Sequence, residues 1–390
     1  MPSYPDFPLG EYENRYARAR SLMQKDGLDA LLVTEEKNYI YFTGHRSQQN
    51  PIDKIRPYVF LLPKDDSPSV ITVEFELDPL KDATWITDVR IGGLMGYDGS
   101  IVSLLNEKRL SNARIGVETG TGQYMGIPFN TFEEIRRAVP GAKFVDASRI
   151  LHALRGTKSP RELEYVRKAA TITAKAAAAT FADSKVGMTE LDVARTLRIH
   201  IASLGGENVT FMWVVTSKNG MIANPTERVL EDGDVLVLDF GAEYRGYASD
   251  IARTAAIGTA SAQVDEFYRW MLDVRRECVN ELRAGLTPRD VLTVCREAID
   301  KRGIPTLQLD RIGHGVGLQS VEFPSLGMGK GQTWPGEENT VFEPGMVLAC
   351  NPTFVPKFGW INAEDMWAIT QDAPELLSSP VAPPKIPVIA

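Results

Sequence analysis

The sequence has few cysteines and few histidines, no long apolar run and no excess of positive charge. Its three cysteines, Cys278, Cys295 and Cys350, show no CxxC spacing, which argues against a disulfide framework or a zinc knuckle and favours a reducing compartment. The net charge of -8 and the pI near 5.3 disfavour nucleic acid as a partner, because phosphate binding needs a positive surface. No apolar run reaches the roughly 18 residues of a membrane span, and the N-terminus lacks a leader pattern. We therefore predict a cytoplasmic protein.

The length and the apolar patterns predict two folded domains. A chain of 390 residues with 43% hydrophobic and 24% charged residues has the composition of a soluble globular protein. An amphipathic pattern over 11–26, followed by the apolar runs DALLVT, YVFLLP and SVITVE, predicts a mixed α/β first domain. Ser159-Pro160, ahead of a long Ala-rich pattern, marks a helix start. We place the domains at 1–155 and 156–390.

The second domain contains an internal repeat. VGMTELDVA, from Val186, and AGLTPRDVL, from Ala284, share a Gly, a Thr, an Asp and a Val at one offset of 98 residues. Each segment carries a Thr-x-x-Asp capping box that opens a helix after a long helical stretch. Chance recurrence of a helix-start motif is one explanation. The other is a duplicated α/β unit with pseudo-twofold symmetry, whose central site would take ligands from both halves.

The segment GDVLVLDFGAEYRGYASDIART is typical of a β-hairpin with Arg245 and Gly246 in its turn. In that register Asp239 and Asp250 lie on one face as diagonal neighbours, with Cα atoms roughly 7–8 Å apart. Two carboxylates on a mostly apolar face repel each other and lose hydration, and a divalent cation would compensate for both effects. The alternative is that one of them is an edge residue in solvent.

Three later residues extend this pair into a candidate ligand set. His314 lies between two glycines in GHGVGLQSVEFP, Asn351 ends an apolar strand pattern before a proline, and Glu364 lies in the apolar segment FGWINAEDMWAIT. With Asp239 and Asp250 they form an ordered series of oxygen and nitrogen ligands, which suits Mn, Fe, Co or Zn.

With this ligand series, the sequence resembles the pita-bread family, which includes methionine aminopeptidase, aminopeptidase P, prolidase and creatinase. LDALLVTEEKNYIYFTG is similar to the family's N-terminal domain, and LRGTKSPRELEYVRKAA to the entry of its catalytic domain. The resemblance implies an α/β (α+β) fold, with a creatinase-like N-terminal α/β domain and a C-terminal pita-bread catalytic domain that carries the pseudo-twofold repeat. In the family's metallopeptidases, two Asp, one His and two Glu hold two metal ions.

The chain departs from that pattern at three positions. Asn351 stands where the family has Glu, Val321 where a His precedes the glutamate of the GHG motif, and Thr226 where another His precedes the aspartate hairpin. Because a neutral residue replaces a carboxylate, we expect at most one firmly bound metal ion, or none, as in creatinase. The missing histidines would move a proton and stabilise an oxyanion, so their loss disfavours ordinary Xaa-Pro cleavage. The other histidines lie outside these motifs: His45, His152 and His200.

The resemblance also implies roles for single residues. The catalytic residues that it implies are His314, Glu322 and Glu364. Glu322 is expected to act as a general acid or base, with structural hydrogen bonding as the alternative. Arg56 is expected to bind a substrate carboxylate in the partner subunit of a homodimer, unless it is only a surface arginine. Trp213 and Trp360 are expected to form apolar or cation-binding walls of the site, unless they are core residues.

These expectations give a prediction of function. We predict a pita-bread hydrolase that opens a C–N bond in a small polar or zwitterionic non-peptide molecule, as creatinase and ectoine hydrolase do, with one or weakly bound divalent metal ions. The first alternative is an Xaa-Pro aminopeptidase or dipeptidase. The second is a lyase of the dimethylsulfoniopropionate type or a non-catalytic binding protein with this fold. The predicted partners are a small-molecule substrate and a second copy of the chain.

Overall fold

A computed structural model describes the following residues of the chain: 5–47, 58–94, 96–217, 223–304, 311–327, 337, 340–353, 355–356 and 359–390. The chain divides into two compact units, Met1–Arg155 and Gly156–Ala390. All three cysteines are free and buried. Among the described residues, none of the helices combines the length and the apolar character that a bilayer span requires.

The first unit is built on a mixed β-sheet. Its helices are α1 (Leu9–Asp26), α2 (Glu36–Thr43), α3 (Leu77–Ala83), α4 (Asp98–Glu107), α5 (Phe129–Ala138) and α6 (Ser148–Gly156). Its strands are β1 (Ala30–Val33), β2 (Val59–Pro63), β3 (Ser69–Thr72), β4 (Asp88–Ile91), β5 (Arg114–Val117) and β6 (Lys143–Asp146). The described strands pair in the order β4-β3-β2-β1-β5-β6. The three apolar runs in the sequence form β1, β2 and β3, which confirms the predicted α/β character of this unit.

The second unit contains two antiparallel-rich sheets and four long helices among its described residues. The helices are α7 (Pro160–Asp183), α8 (Glu190–Ser203), α9 (Ala262–Val279) and α10 (Pro288–Arg302). The strands are β7 (Asn208–Thr216), β8 (Val235–Tyr244), β9 (Tyr247–Ala248), β10 (Ile251–Ile257), β11 (Arg311–Gly315), β12 (Glu322–Gly327), β13 (Val347–Cys350), β14 (Asp365–Ala368), β15 (Glu375–Leu376) and β16 (Val388–Ile389). One sheet has the order β16-β10-β8-β7 with β9 beside β8, and the other has the order β12-β11-β13-β14-β15.

The internal repeat corresponds to a repeated order of elements. In each half a long helix, α7 or α9, is followed by a second helix, α8 or α10, and then by a sheet. Both predicted capping boxes are confirmed. The Thr189 side chain accepts a hydrogen bond from the backbone N–H of Asp192 while the Asp192 carboxylate accepts one from Thr189, and Thr287 and Asp290 do the same at α10.

The aspartate hairpin has the predicted register. Tyr244 pairs with Tyr247 across the turn, and Asp239 pairs with Ala252 further along β8 and β10. The two turn residues, Arg245 and Gly246, have φ angles of 53° and 79°, as a two-residue hairpin turn of the I′ type requires.

Two backbone hydrogen bonds link β10 to Glu364, just before β14, where the candidate ligands meet. The backbone N–H of Glu364 donates to the carbonyl oxygen of Ala252 at 3.0 Å, and the N–H of Ala252 donates to the carbonyl oxygen of Glu364 at 3.3 Å. Asp250, Ala252 and Glu364 are therefore fixed relative to one another by backbone hydrogen bonds and a continuous strand, although 112 residues separate Ala252 from Glu364 (364 − 252).

Candidate metal centre

The structure brings together three of the five predicted ligands. One ligand atom from each of Asp250, His314 and Glu364 lies within 4.8 Å of the others. His314 Nε2 is 3.4 Å from Asp250 Oδ2 and 3.8 Å from Glu364 Oε1. All three side chains are buried. The described residues thus form a compact pocket of one imidazole nitrogen and two carboxylates.

Backbone packing explains why glycines flank His314. A Cβ atom at Gly313 would overlap the carbonyl oxygen of Ala349 on β13, and one at Gly315 would overlap the carbonyl oxygen of Phe323 on β12. Only glycine therefore allows both neighbouring strands to approach β11 so closely. His314 Nδ1 lies 3.1 Å from the carbonyl oxygen of Gly315. Because a carbonyl oxygen only accepts, Nδ1 carries the proton and Nε2 presents its lone pair to the two carboxylates.

The other two predicted ligands, Asp239 and Asn351, lie beside this group, and each is hydrogen-bonded to an amide or a carboxylate. Asn351 Nδ2 donates to Glu364 Oε2 at 3.1 Å. Asn362 Nδ2 donates to Asp239 Oδ2 at 3.0 Å. The side-chain amides of Asn351 and Asn362 therefore donate hydrogen bonds to carboxylate oxygens of two predicted ligands, Glu364 and Asp239. Asn362 was not predicted from the sequence, although it lies two residues before Glu364 in the segment WINAED.

The chemistry of these donors fits a divalent cation. Asp250 Oδ1 and Glu364 Oε1 are buried and have no hydrogen-bond partner among the described residues. Buried carboxylate oxygens without a donor are costly, and a nitrogen lone pair that faces them adds repulsion. A cation bound by Asp250, His314 and Glu364 would satisfy all of these atoms at once.

Burial and the closeness of the acidic groups shift the pKa values of the candidate ligands. Burial raises the pKa of Asp239 to about 7, although the hydrogen bond from Asn362 opposes the shift. Burial also raises the pKa of Asp250 well above its usual range, and the charges of Glu364 and Asp239 add to this shift. Glu364 behaves in the same way, with burial as the main cause and Asp239 as the second. Burial lowers the pKa of His314 to about 4, assisted by the positive charge of Arg311, so the imidazole is neutral at pH 7.

At the two positions where the family has histidine, Thr226 is hydrogen-bonded to Glu190 and Val321 is exposed. The Thr226 hydroxyl donates to Glu190 Oε2 at 2.7 Å, and the Thr226 N–H donates to the same oxygen at 3.0 Å. Val321 is 42% exposed. In the described structure neither residue offers a proton-transfer group, as the sequence indicated.

Glu322 has a specific ionic partner. Its Oε1 lies 2.7 Å from Lys158 Nζ, and both side chains are buried. A Cβ atom at Gly317 would overlap the Glu322 carboxylate, so this glycine leaves the space that the pair occupies. Lys158 could not be recognised from the sequence as the partner of Glu322, because the two lie 164 residues apart. This geometry favours the structural alternative for Glu322 over a role as general acid or base.

Of the predicted substrate-binding residues, the two tryptophans lie on the Asp239 side of the sheet. Trp213 pairs directly with Asp239 across β7 and β8, so the two side chains share one face of the sheet. Trp360 is buried in a cluster with Val215 and Val237, and Trp213 packs against that cluster. Both indoles thus lie in apolar packing on the Asp239 side. Arg56 lies outside the described residues.

Arg311 is a second residue that the sequence analysis missed. It lies on β11, three residues before His314, and is half-buried. Its charge acts on three members of the site, because it lowers the pKa values of Asp250, His314 and Glu364. Its backbone pairs with Gly327 on β12, but within the described part of the chain its side chain has no hydrogen bond and no ion pair. The sequence signal that could have indicated Arg311 is the basic residue three positions before the histidine in LDRIGHG.

Fold and site together define a two-unit α/β protein whose second unit carries a buried carboxylate and imidazole pocket suited to a divalent cation. The chain belongs to metallopeptidase family M24, which matches residues 164–371, and residues 15–156 match the creatinase/prolidase N-terminal domain. The predicted family and fold class are therefore confirmed.

Several relatives and solved structures cover nearly the whole chain. An Xaa-Pro dipeptidase of Pyrococcus horikoshii is 24% identical over 363 residues, which cover 91% of this chain and 94% of that protein. The structure of a dipeptidase, PepE, from Mycobacterium ulcerans has a TM-score of 0.84 at 25% identity and covers 98% of this chain and 99% of that one. An Xaa-Pro dipeptidase from Bacillus anthracis has a TM-score of 0.82 at 24% identity, with coverage of 97% and 100%.

Proposed function

We propose that this M24 hydrolase is a metal-dependent dipeptidase of the Xaa-Pro type. The observation that carries the proposal is the convergence of Asp250, His314 and Glu364, with buried ligand oxygens that no described residue satisfies. Two of the named relatives are Xaa-Pro dipeptidases and the third is a dipeptidase, whereas our preference for a non-peptide substrate gains no support from them. The first alternative from the sequence is therefore the better supported function.

In this proposal, the residues of the chain hold the cation and orient the substrate. A divalent cation bound by Asp250, His314 and Glu364 would act as a Lewis acid towards the scissile carbonyl group. The neutral imidazole of His314 serves as a ligand through Nε2. Glu364 remains our candidate catalytic carboxylate, and Glu322 becomes a residue that supports β12 through its ion pair with Lys158.

Arg311 supplies the positive charge that a dipeptide substrate requires. The C-terminal carboxylate of a dipeptide needs a cationic partner. Among the described residues, no acidic side chain pairs with the guanidinium group of Arg311. Trp213 supplies apolar surface on the Asp239 side of the sheet, and the buried Trp360 supports it from the core cluster, as the core alternative for Trp360 had it. Arg56 and a homodimeric assembly stay predictions, as does the identity of the metal ion.

The second candidate remains hydrolysis of a C–N bond in a small non-peptide molecule. The engagement of Thr226 by Glu190 and the exposure of Val321 favour it, because neither residue assists proton transfer to a peptide leaving group.

A substrate panel tests both candidates. Mn²⁺-loaded and chelator-treated protein would be assayed with Xaa-Pro dipeptides, with their C-terminal amides, and with creatine and N-acylated amino acids. Release of proline that the chelator abolishes supports the dipeptidase. Metal-dependent hydrolysis of the non-peptide compounds alone supports the second candidate, and hydrolysis that the chelator does not affect contradicts the proposed metal dependence.

Arg311→Gln tests how the substrate is bound. Loss of a charge-assisted hydrogen bond costs about 1.5–3 kcal/mol, so KM for free dipeptides should rise roughly 10–100-fold. The KM for the C-terminal amides should change little, because they lack the carboxylate. An equal effect on both substrate types would contradict the assignment of Arg311 to the carboxylate.

A further inference from the structure

A buried ionic cluster lies directly behind Glu364. Its centre is Asp365, which is fully buried, between Arg253 and Arg275, which are 4% and 6% exposed. Arg253 Nη2 lies 2.6 Å from Asp365 Oδ1, and Arg275 Nη1 lies 2.6 Å from Asp365 Oδ2. Each carboxylate oxygen therefore has its own guanidinium partner.

The same two arginines bind the backbone on both sides of the Glu364 Cα atom. Arg275 Nη1 donates to the carbonyl oxygen of Ala363 at 3.1 Å, and Arg253 Nη1 donates to the carbonyl oxygen of Glu364 at 2.6 Å. Because the two peptide planes next to Glu364 are both fixed, the direction of its Cα–Cβ bond is fixed as well. Asp365 in turn holds the two guanidinium groups in place.

The cluster also reaches Asp250, the other acidic member of the site. Arg253 Nη1 donates to the carbonyl oxygen of Ala252 at 2.9 Å, on the strand that follows Asp250. Ser378 Oγ donates to Asp365 Oδ1 at 2.7 Å and accepts from the N–H of Met366 at 3.1 Å. The Met366 sulfur then accepts from the backbone N–H of Asp250 at 3.2 Å. One connected set of contacts thus holds the backbone of both acidic ligands.

The cluster of Arg253, Arg275 and Asp365 carries a net positive charge. Two guanidinium groups face one carboxylate, and in the described chain neither arginine has another acidic partner. One positive charge therefore remains unbalanced in a buried region next to Glu364. Removing either arginine would loosen the backbone and also remove the excess positive charge next to an acidic pocket.

We propose that Arg253 and Arg275 are positioning residues that act together with Asp365 to set the geometry of Glu364 in the cation site. The proposal rests on the proposed function, because it needs a cation that Glu364 binds. A purely structural cluster would stabilise the fold without influencing how tightly or in what geometry the cation is bound.

Measurement of Co²⁺ binding distinguishes a positioning role of the two arginines from a purely structural one. The full-length wild type and the variants Arg253→Lys and Arg275→Lys would be titrated with Co²⁺ by calorimetry, and the visible absorption of bound Co²⁺ would report its coordination. Lysine keeps the charge but lacks the planar fork with which Arg253 binds Asp365 through Nη2 and the Glu364 carbonyl oxygen through Nη1. At position 275 the lysine nitrogen ends one bond short of Nη1, which donates to both Asp365 and the Ala363 carbonyl oxygen. Loss of the outer partners of a metal ligand typically costs 10–100-fold in metal affinity, so we expect the Kd to rise roughly 10–100-fold and the absorption spectrum to change.

Arg276→Gln is the matched control. Arg276 lies next to Arg275 on α9 but is exposed and pairs with Asp273 at the surface, so its removal should leave the Kd unchanged. If the lysine variants show a lower Tm but the Kd and spectrum of the wild type, the positioning role is wrong. If the wild type itself binds no Co²⁺, the proposed cation site is wrong, which is a separate result.

Ser378→Ala keeps the proposal testable if the arginine variants do not fold. This change removes one hydroxyl that links Asp365 to the Met366 backbone and leaves both ion pairs in place. We expect a several-fold rise in the Kd for Co²⁺. A wild-type Kd in this variant, measured on folded protein, would overturn the proposal.

Discussion

At the scale of single residues, His314 is the one histidine among the described residues that lies against both Asp250 and Glu364. Its Nε2 faces Asp250 and Glu364, and its Nδ1 is engaged by its own strand. His314→Ala should therefore lower the affinity for Mn²⁺ or Co²⁺ by more than the roughly 10–100-fold that loss of an outer hydrogen-bond partner costs. Calorimetric titration measures this directly.

His200→Ala is the control for that variant. His200 pairs with Asp183 at 2.8 Å on the surface of α8, far in sequence from every ligand, so cation affinity should not change. Equal affinities of wild type and His314→Ala would place the cation elsewhere.

Asn351 decides how much negative charge the pocket presents to a cation. Its amide donates to Glu364, whereas a glutamate there would add a carboxylate. Asn351→Glu should increase the Mn²⁺ retained after dialysis, because charge compensation dominates the affinity of hard cations. Metal analysis measures the bound equivalents, with Asn351→Gln as the neutral control. Unchanged metal content in the Glu variant would show that Asn351 does not adjoin the cation.

At the scale of elements, the ion pair between Lys158 and Glu322 joins the segment before α7 to the start of β12. Lys158→Met should lower the free energy of unfolding by about 3–5 kcal/mol, because it leaves a buried carboxylate without its partner. Urea denaturation measures the effect. The double variant Lys158→Met/Glu322→Gln should recover part of the loss, since no unpaired charge remains.

The single variant Glu322→Gln tests the role of Glu322. If Glu322 supports the fold, Glu322→Gln should change stability more than kcat, and the pH profile of kcat should keep its shape. A large fall in kcat with unchanged stability would return Glu322 to the role of general acid or base that the sequence suggested.

At the scale of the whole molecule, the buried carboxyl groups couple stability to pH and to the cation. Burial raises the pKa of Asp239 to about 7, and those of Asp250 and Glu364 are raised as well. A raised carboxyl pKa stabilises the fold below the unfolded pKa, and this stabilisation is lost as the pH rises through the folded pKa. The Tm of the metal-free protein should therefore fall between pH 5 and pH 8.

Saturating Mn²⁺ should oppose that fall, because the cation binds the deprotonated carboxylates. At 100 times its Kd, a ligand adds about 2.7 kcal/mol to stability. Because the Kd for Mn²⁺ should be lower at pH 8, one fixed Mn²⁺ concentration is a larger multiple of the Kd there, and the rise in Tm should be larger at pH 8 than at pH 5. Scanning calorimetry with chelator or with Mn²⁺ measures both curves. Asp239→Asn should flatten the metal-free curve, and an equal effect of Mn²⁺ at the two pH values would contradict the coupling.

Features that depend on neighbours along the chain could be predicted from the sequence alone. The capping boxes at Thr189 and Thr287 and the turn at Arg245-Gly246 were predicted correctly. Each depends on side-chain and backbone groups within a few residues of one another, so composition and spacing were sufficient.

Only the tertiary structure decided which ligand atoms lack a partner and which are engaged. Asn362 reaches Asp239, Thr226 reaches Glu190, and Lys158 reaches Glu322. These pairs are 123, 36 and 164 residues apart, and in each the partner lies on another segment. A sequence pattern records the type of each side chain but not which distant donor approaches it. The order of the candidate ligands along the chain was therefore predictable from the sequence. That Asp250 Oδ1 and Glu364 Oε1 have no hydrogen-bond partner among the described residues depends on how distant segments pack.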